Sequence, residues 1–302
     1  MCIRDRYSIQ SLERDYKHYY FIIRGIRMRK TILVWAVVLC FMLSLGGCGK
    51  KESEYTNMAD QTSENEVLKE LESCGITQEQ TERVKKWITD FNATAQNFSF
   101  PEGFGKLPEE GVDYSGVMLN DSAEAYSYLQ WLNCRLTAFF LLKDQISTAG
   151  TGNDADVWLM FDVEAIDTVP EYQMSEEERT DFVTLYNQVS VEDADTLEDQ
   201  KERIEEAWEK RAVEITGDKL SLICVYLHSP EDKVRFVGHT GILAETKNGL
   251  LFVEKYGPMA PFQATRFQSR DELKEYLLAR KDLYGDATEL APIVTENGEV
   301  ME

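Results

Sequence analysis

The chain has 302 residues, 43% hydrophobic and 28% charged, enough for one large domain or two small ones with a proper core. Its 54 Asp and Glu against 32 Lys and Arg give a formal net charge of -22. A surface that acidic repels phosphate backbones, so no nucleic-acid partner is expected, and solvation of a secreted protein accounts for the charge.

The charge is unevenly placed. Residues 1–48 hold eight Lys/Arg and three Asp/Glu, a net +5, which leaves -27 for the remainder. From Met28 the chain reads "MRKTILVWAVVLCFMLSLGGCGKK": a basic start, an apolar run from Thr31 to Leu45, and small residues before Cys48. This pattern predicts a secretory signal over 28–47, since about fifteen apolar residues are short for a membrane span. It resembles a bacterial lipoprotein signal. The resemblance implies that Cys48 is acylated, becomes the mature N-terminus and anchors the chain to the membrane on its extracytoplasmic face. Residues 1–27, opening "MCIRDR", resemble translated sequencing-adapter read-through, and translation is expected to begin at Met28.

The next segment, 48–64, is the lipidated cysteine and a polar tether, and 65–302 reads as a single α+β domain. Helices are predicted in "NEVLKELESCG" and in "TQEQTERVKKWITDFNATAQNF", where Thr77 and Gln80 have capping-box spacing. Residues 99–120 are punctuated by Pro and Gly and read as a loop. Helical periodicity returns over 121–145, with Asn133 available as a cap if the chain breaks there. After the Gly-rich "TAGTGND", the run "VWLMFDVEAI" predicts a buried strand. An insertion at about 174–213 forms two acidic amphipathic helices, with Ser175 and Asp195 as caps. From Lys219, "LSLICVYLHS", "VRFVGHTGILAE" and "LLFVEKY" are strands, the last two joined by a hairpin at "TKNG". A helix in "SRDELKEYLLARKDL" follows.

Three cysteines (Cys74, Cys134, Cys224) and two histidines (His228, His239) lie beyond Cys48. The absence of CxxC, HExxH and zinc spacing leads us to expect no metal and no cofactor. An odd number of thiols outside the cytoplasm leaves at least one free or joined to another molecule, and a disulfide from Cys134 to Cys74 or Cys224 stays open. Cys134 is either a small hydrophobe in a core helix or a nucleophile at a helix start, where unpaired amides lower a thiol pKa. Strict alternation puts Val237, His239, Gly241 and Leu243 on one strand face, with space beside the imidazole at Gly241. His228, next to Ser229-Pro230, reads as an exposed loop residue. Glu254 shares the His239 face in either hairpin register. A two-residue Asn248-Gly249 turn would leave it roughly 13 Å from His239, whereas a four-residue loop would set it directly opposite. Gln263 is the alternative polar partner.

The blocks "NCRLTAFFLLKD", "WLMFDVEAI", "GHTGILAETKNGLLFVEKYGPMAPFQATRF", "ELKEYLL" and "APIVTENGEV" resemble the landmarks of a family of Gram-positive lipoproteins called domain of unknown function 4300, across about 125–302. That family implies no activity. The order of Cys134 and His239 is also similar to papain-like, NlpC-type cysteine peptidases. This second resemblance implies a cysteine-opened helix packed on an antiparallel sheet, with Cys134 as nucleophile, His239 as base and Glu254 as orienter. The reaction would be cleavage of an amide or ester bond, with cell-wall peptide or protein as substrate. "NCRL" departs from the small residues usual after the cysteine. Arg135 and Gln263 are the candidate substrate-binding residues, Arg135 toward a carboxylate. The competing expectation is a non-catalytic binding or adhesion lipoprotein that keeps the fold and uses its acidic helices as a partner surface.

Overall fold

Val, Ile, Leu, Phe and Tyr concentrate between 220 and 267, and there the chain builds its sheet. The structure, a computed structural model, describes residues 52–285 and 288–302. The expected signal, residues 1–27 and Cys48 lie outside the described residues. Nine strands form the main sheet: β1 (Glu54–Thr56), β2 (Gly105–Lys106), β3 (Val189–Ser190), β4 (Leu220–Ser229), β5 (Val234–Thr246), β6 (Gly249–Lys255), β7 (Phe262–Phe267), β8 (Ile293–Glu296) and β9 (Glu299–Val300). Their order is β9-β8-β4-β5-β6-β7-β1-β2, all antiparallel, with β3 paired to the far end of β5. The three predicted strands are its centre. β7 was not expected as a strand.

Among the described residues seven helices of eight residues or more accompany the sheet: α1 (Gln61–Ser73), α2 (Gln78–Thr94), α3 (Cys134–Leu142), α4 (Met160–Thr168), α5 (Glu176–Tyr186), α6 (Leu197–Lys210) and α7 (Arg270–Ala279). The sheet is covered on both faces. One face packs with Trp87, Phe91, Phe139 and Phe182 of the α2, α3 and α5 helices over Leu222, Ile242 and Val253. The other packs Leu273, Tyr276 and Leu277 of α7 over Ile223, Leu243 and Phe252. The α+β class is therefore as expected. Among the described residues no helix is long and apolar enough to cross a membrane.

The capping boxes at Thr77/Gln80 and Ser175/Glu178 are both formed. The cap of α6 is Thr196, closed by Asp199, and not Asp195. Two larger departures from the sequence reading matter for the site. "VWLMFDVEAI" is a 3-10 turn (Val157–Leu159) running into α4, not a strand. Leu159, Asp162, Ala165 and Ile166 are buried while Val157, Met160 and Phe161 are exposed, a spacing of three and four that marks a helix face. The tether is shorter than the 48–64 expected. Residues 54–56 form β1 on the edge of β7, Asn57 donates to the Tyr114 hydroxyl and the Phe262 carbonyl, and Asp60 caps α1. A three-residue polar strand paired some 200 residues away carries no local signal of its own. His228 is also not an exposed loop residue. It is buried in β4, where its Nδ1 accepts from the Leu290 N–H.

Candidate active site at the start of helix α3

The chain does break before Cys134. Asn133 is extended (φ -131°, ψ -176°) and its side-chain oxygen accepts the Leu136 N–H at 3.0 Å, which caps the helix. Cys134 is thus the first helical residue, where backbone N–H groups lack helical partners. The Asn133 amide also donates to Asp162 at 2.7 Å. Arg135 spans the same carboxylate, Nη2 to Oδ2 at 2.6 Å, and reaches the Val237 carbonyl at 2.8 Å. Asp162, fully buried on α4, therefore clamps the start of α3 and ties it to β5.

The point of attachment on β5 is a bulge. His239 lies opposite Val225 and Val237 opposite Tyr226, so Gly238 is the extra residue. A Cβ on Gly238 would fall 2.3 Å from the Leu227 side chain. The bulge breaks the expected alternation. Val237 packs with the helical layer, whereas Leu243, two steps beyond Gly241, packs with α7. β6 pairs with β5 only from Thr246 to Gly241, and β3 covers Val234 and Arg235. Between them, among the described residues, 236–240 have no strand on that side, and the Cys134 thiol is close enough to the His239 imidazole and the Thr240 N–H for both to act on its ionisation.

Glu254 follows neither anticipated register. The loop is Lys247–Asn248, because the Thr246 hydroxyl takes the Asn248 N–H at 3.0 Å and Gly249 supplies φ +112°. Glu254 then faces Gly241 and is diagonal to His239, a separation long side chains can cross. The missing side chain at Gly241 leaves room for the Phe252 ring, whose atoms lie 2.6 Å from where a Cβ would stand. That space is core, not a place for substrate. Glu254 Oε2 lies 2.6 Å from His239 Nε2, and Oε1 accepts from the Tyr276 hydroxyl at 2.7 Å. Arg280 Nη1 donates to the same Oε2 at 2.7 Å. Arg280 also stands 3.1 Å from His239 Nε2, but with that nitrogen protonated toward Glu254 the approach is one of donor to donor, not a hydrogen bond. The ring nitrogen left over, Nδ1, is the one available to sulfur.

The ionisation follows from this geometry. Burial pushes the Cys134 thiol up, but the imidazole, the Arg135 charge and the Thr240 N–H outweigh it and hold the thiol below its ordinary range. His239 is pushed down by burial and by Arg280, yet Cys134 and Glu254 raise it above its ordinary value. Burial opposes ionisation of Glu254, while Arg280, His239 and Tyr276 keep its carboxyl below the ordinary range. Each partner favours the charged form of the next, which is the arrangement of a thiolate–imidazolium pair.

Cys134 and His239 line a cleft of about 540 Å³, with Trp131, Phe161, Tyr256 and Pro258 in its wall. Behind the wall Lys255 is fully buried, and burial pushes its ammonium down to about 7. It donates to the carbonyls of Gly257, Pro258 and Ala260, fixing the turn that borders the cleft. Cys134 itself is 8% exposed.

Cys134, His239 and Glu254 are thus brought together. Arg135 lines the cleft, but its guanidinium is spent on Asp162 and Val237, so it is an anchor for α3 and not a free carboxylate receptor. Gln263 stands opposite Glu254, fully buried, donating to Tyr276 and Thr265 and accepting from Tyr114. It braces Tyr276 and touches no open space. The open disulfide alternative is closed, since Cys74, Cys134 and Cys224 are all free. Sequence reasoning missed Asp162, Arg280, Tyr276 and Lys255. Asp162 had a signal, one of two charges (with Glu164) inside an apolar run. Among the described residues no group of three or more His, Cys, Asp and Glu converges to hold a metal ion.

The fold and site together define an α+β protein with a buried thiol–imidazole–carboxylate chain beneath an aromatic cleft. Residues 54–301 match the family described as Domain of unknown function (DUF4300), and the chain belongs to that family. No curated protein and no solved structure matches it.

Proposed function

We propose that the protein is a surface lipoprotein, anchored through acylated Cys48 on the extracytoplasmic face, that acts as a thiol hydrolase with a papain-like, NlpC-type core. The observation that carries the reading is the chain of contacts from the Cys134 thiol through the His239 ring to Glu254, with every shift in ionisation favouring the charged pair. A cysteine-opened helix against an antiparallel sheet, a histidine strand and a carboxylate on the next strand also follow the NlpC-type order.

In the proposed reaction the Cys134 thiolate attacks the carbonyl carbon of an amide or ester and forms a C–S bond. Backbone N–H groups at the first turn of α3 receive the oxyanion. The imidazolium gives its proton to the departing amine or alcohol as that bond breaks. Water then attacks the thioester, its proton passes to His239, and the carboxylic acid leaves with the thiolate restored. Glu254 keeps the ring in the tautomer that presents Nδ1 to sulfur.

The test is acylation by a small activated ester, p-nitrophenyl acetate, on soluble protein from residue 49 onward. The reading expects a thioester on Cys134, located by peptide mass, and a fall in its rate of formation of about 100-fold or more in His239→Ala. Acylation elsewhere, or on Cys134 at equal rates in both proteins, refutes it. Cys48→Ala in the whole protein should abolish incorporation of labelled fatty acid. Persistent labelling would refute the anchor.

A further inference from the structure

Among the described residues six large apolar side chains stand exposed: Met118, Val157, Met160, Phe161, Met259 and Tyr284. One of them, Phe161, 65% exposed, lines the Cys134 cleft, whose other apolar lining is Trp131, Tyr256, Pro258 and Leu283. Val157 and Met160 are neighbours of Phe161 along the chain. Met259 follows Gly257 and Pro258, and Tyr284 follows Leu283, all three of which are wall residues. Trp158, between Val157 and Leu159, lies flat on Phe236 of β5 with ring centroids 3.7 Å apart. Single exposed apolar residues are ordinary, but apolar and aromatic side chains lining a concave site mark a binding surface.

The charges in the same wall are already committed. Arg135 is held by Asp162 and the Val237 carbonyl, and Arg280 by Glu254, Asp282 and the Tyr256 carbonyl. Neither is left to receive a substrate carboxylate. The chain beyond residue 48 carries a net -27, so its field opposes the approach of an anion.

We infer that the cleft takes polypeptide segments with an uncharged apolar or aromatic side chain beside the scissile carbonyl, and rejects segments bearing a carboxylate there. The inference rests on the thiol-hydrolase reading and narrows its substrate class. The apolar lining supplies the contact, and Cys134 supplies the attacking sulfur.

The experiment uses three peptidyl chloromethyl ketones that differ only in the residue next to the reactive carbonyl, Phe, Lys or Glu, with iodoacetamide as a probe that carries no side chain. The target is soluble protein from residue 49 onward with Cys74→Ser and Cys224→Ser, and Cys134 modification is followed by mass. The Phe reagent should react at least tenfold faster than the Glu reagent after both are normalised to iodoacetamide, with the Lys reagent between them. Phe161→Ser should lower that ratio, while Met118→Ser, which does not line the cleft, should leave it alone. Equal Phe and Glu rates, or a ratio indifferent to Phe161, overturn the inference even if iodoacetamide reacts rapidly. Slow iodoacetamide reaction that ignores His239→Ala overturns the hydrolase reading itself, and the substrate class falls with it.

Discussion

Glu254 is a carboxylate with no exposure and three donors, His239, Arg280 and Tyr276. Removing its charge leaves Arg280, itself 1% exposed, as a buried cation without that partner, which for such pairs costs about 3–5 kcal/mol. Glu254→Gln should therefore lower the melting temperature by on the order of 10 °C for a domain of this size. It should also lower the His239 pKa and with it the thiolate fraction of Cys134. A variant as stable as the parent, with unchanged thiol reactivity, would show that the carboxylate merely fills space. This residue was half legible in the sequence. Its face was given by parity with His239, but its distance depended on the length and position of the hairpin loop, and that was decided by the Thr246 hydroxyl. Arg280 was not legible, because a cation at the end of α7 looks like any solvated helix terminus until the fold brings it against β6.

At the scale of elements, the start of α3 is held in place by a residue from another helix. Asp162 receives Asn133 and both ends of the Arg135 guanidinium. Asp162→Ala should cost about 3–5 kcal/mol in denaturant unfolding, as breaking a buried pair does, and should slow alkylation of Cys134 while the far-ultraviolet spectrum stays native. A loss under about 1 kcal/mol would mean the clamp is ornamental. The bulge is the other positioning element. Gly238→Val should destabilise by about 1–3 kcal/mol, because Leu227 occupies the place of the new side chain. Neither device was visible beforehand. Periodicity cannot tell a short buried helix from a strand, and "VWLMFDVEAI" was read as a strand, which hid the role of Asp162. A one-residue bulge leaves no mark except a glycine, here Gly238, and the sequence reading turned on Gly241 instead.

For the whole molecule, the N-terminal boundary is the clearest correction. Deleting residues up to 52 should be tolerated, whereas deleting up to 64 removes β1, the buried Met58 and the Asp60 cap, and bares the edge of β7. The longer deletion should lower the melting point by more than 5 °C and elute as aggregate in size-exclusion chromatography. A monomer of parental stability would restore the tether as first read. The three central strands, β4, β5 and β6, were legible because each carries its own apolar run. The N-terminal edge was not, since its three residues gain structure only from a partner far along the chain.

The central claim is that Cys134 is an activated nucleophile, and the measurement that tests it most directly is its alkylation rate by iodoacetamide against pH. The protein would be soluble from residue 49 onward with Cys74→Ser and Cys224→Ser, with and without His239→Ala. Because the Cys134 pKa is lowered and the His239 pKa raised, the thiolate is populated below the ordinary thiol range and is lost only as pH falls through its own depressed pKa. Rapid alkylation at pH 6 to 7 that disappears with His239→Ala is the predicted result, since a free thiol of pKa about 8.5 is mostly protonated there. A rate that rises only near pH 8 to 9, and does so identically without His239, would contradict the account and leave Cys134 a core residue at a helix start.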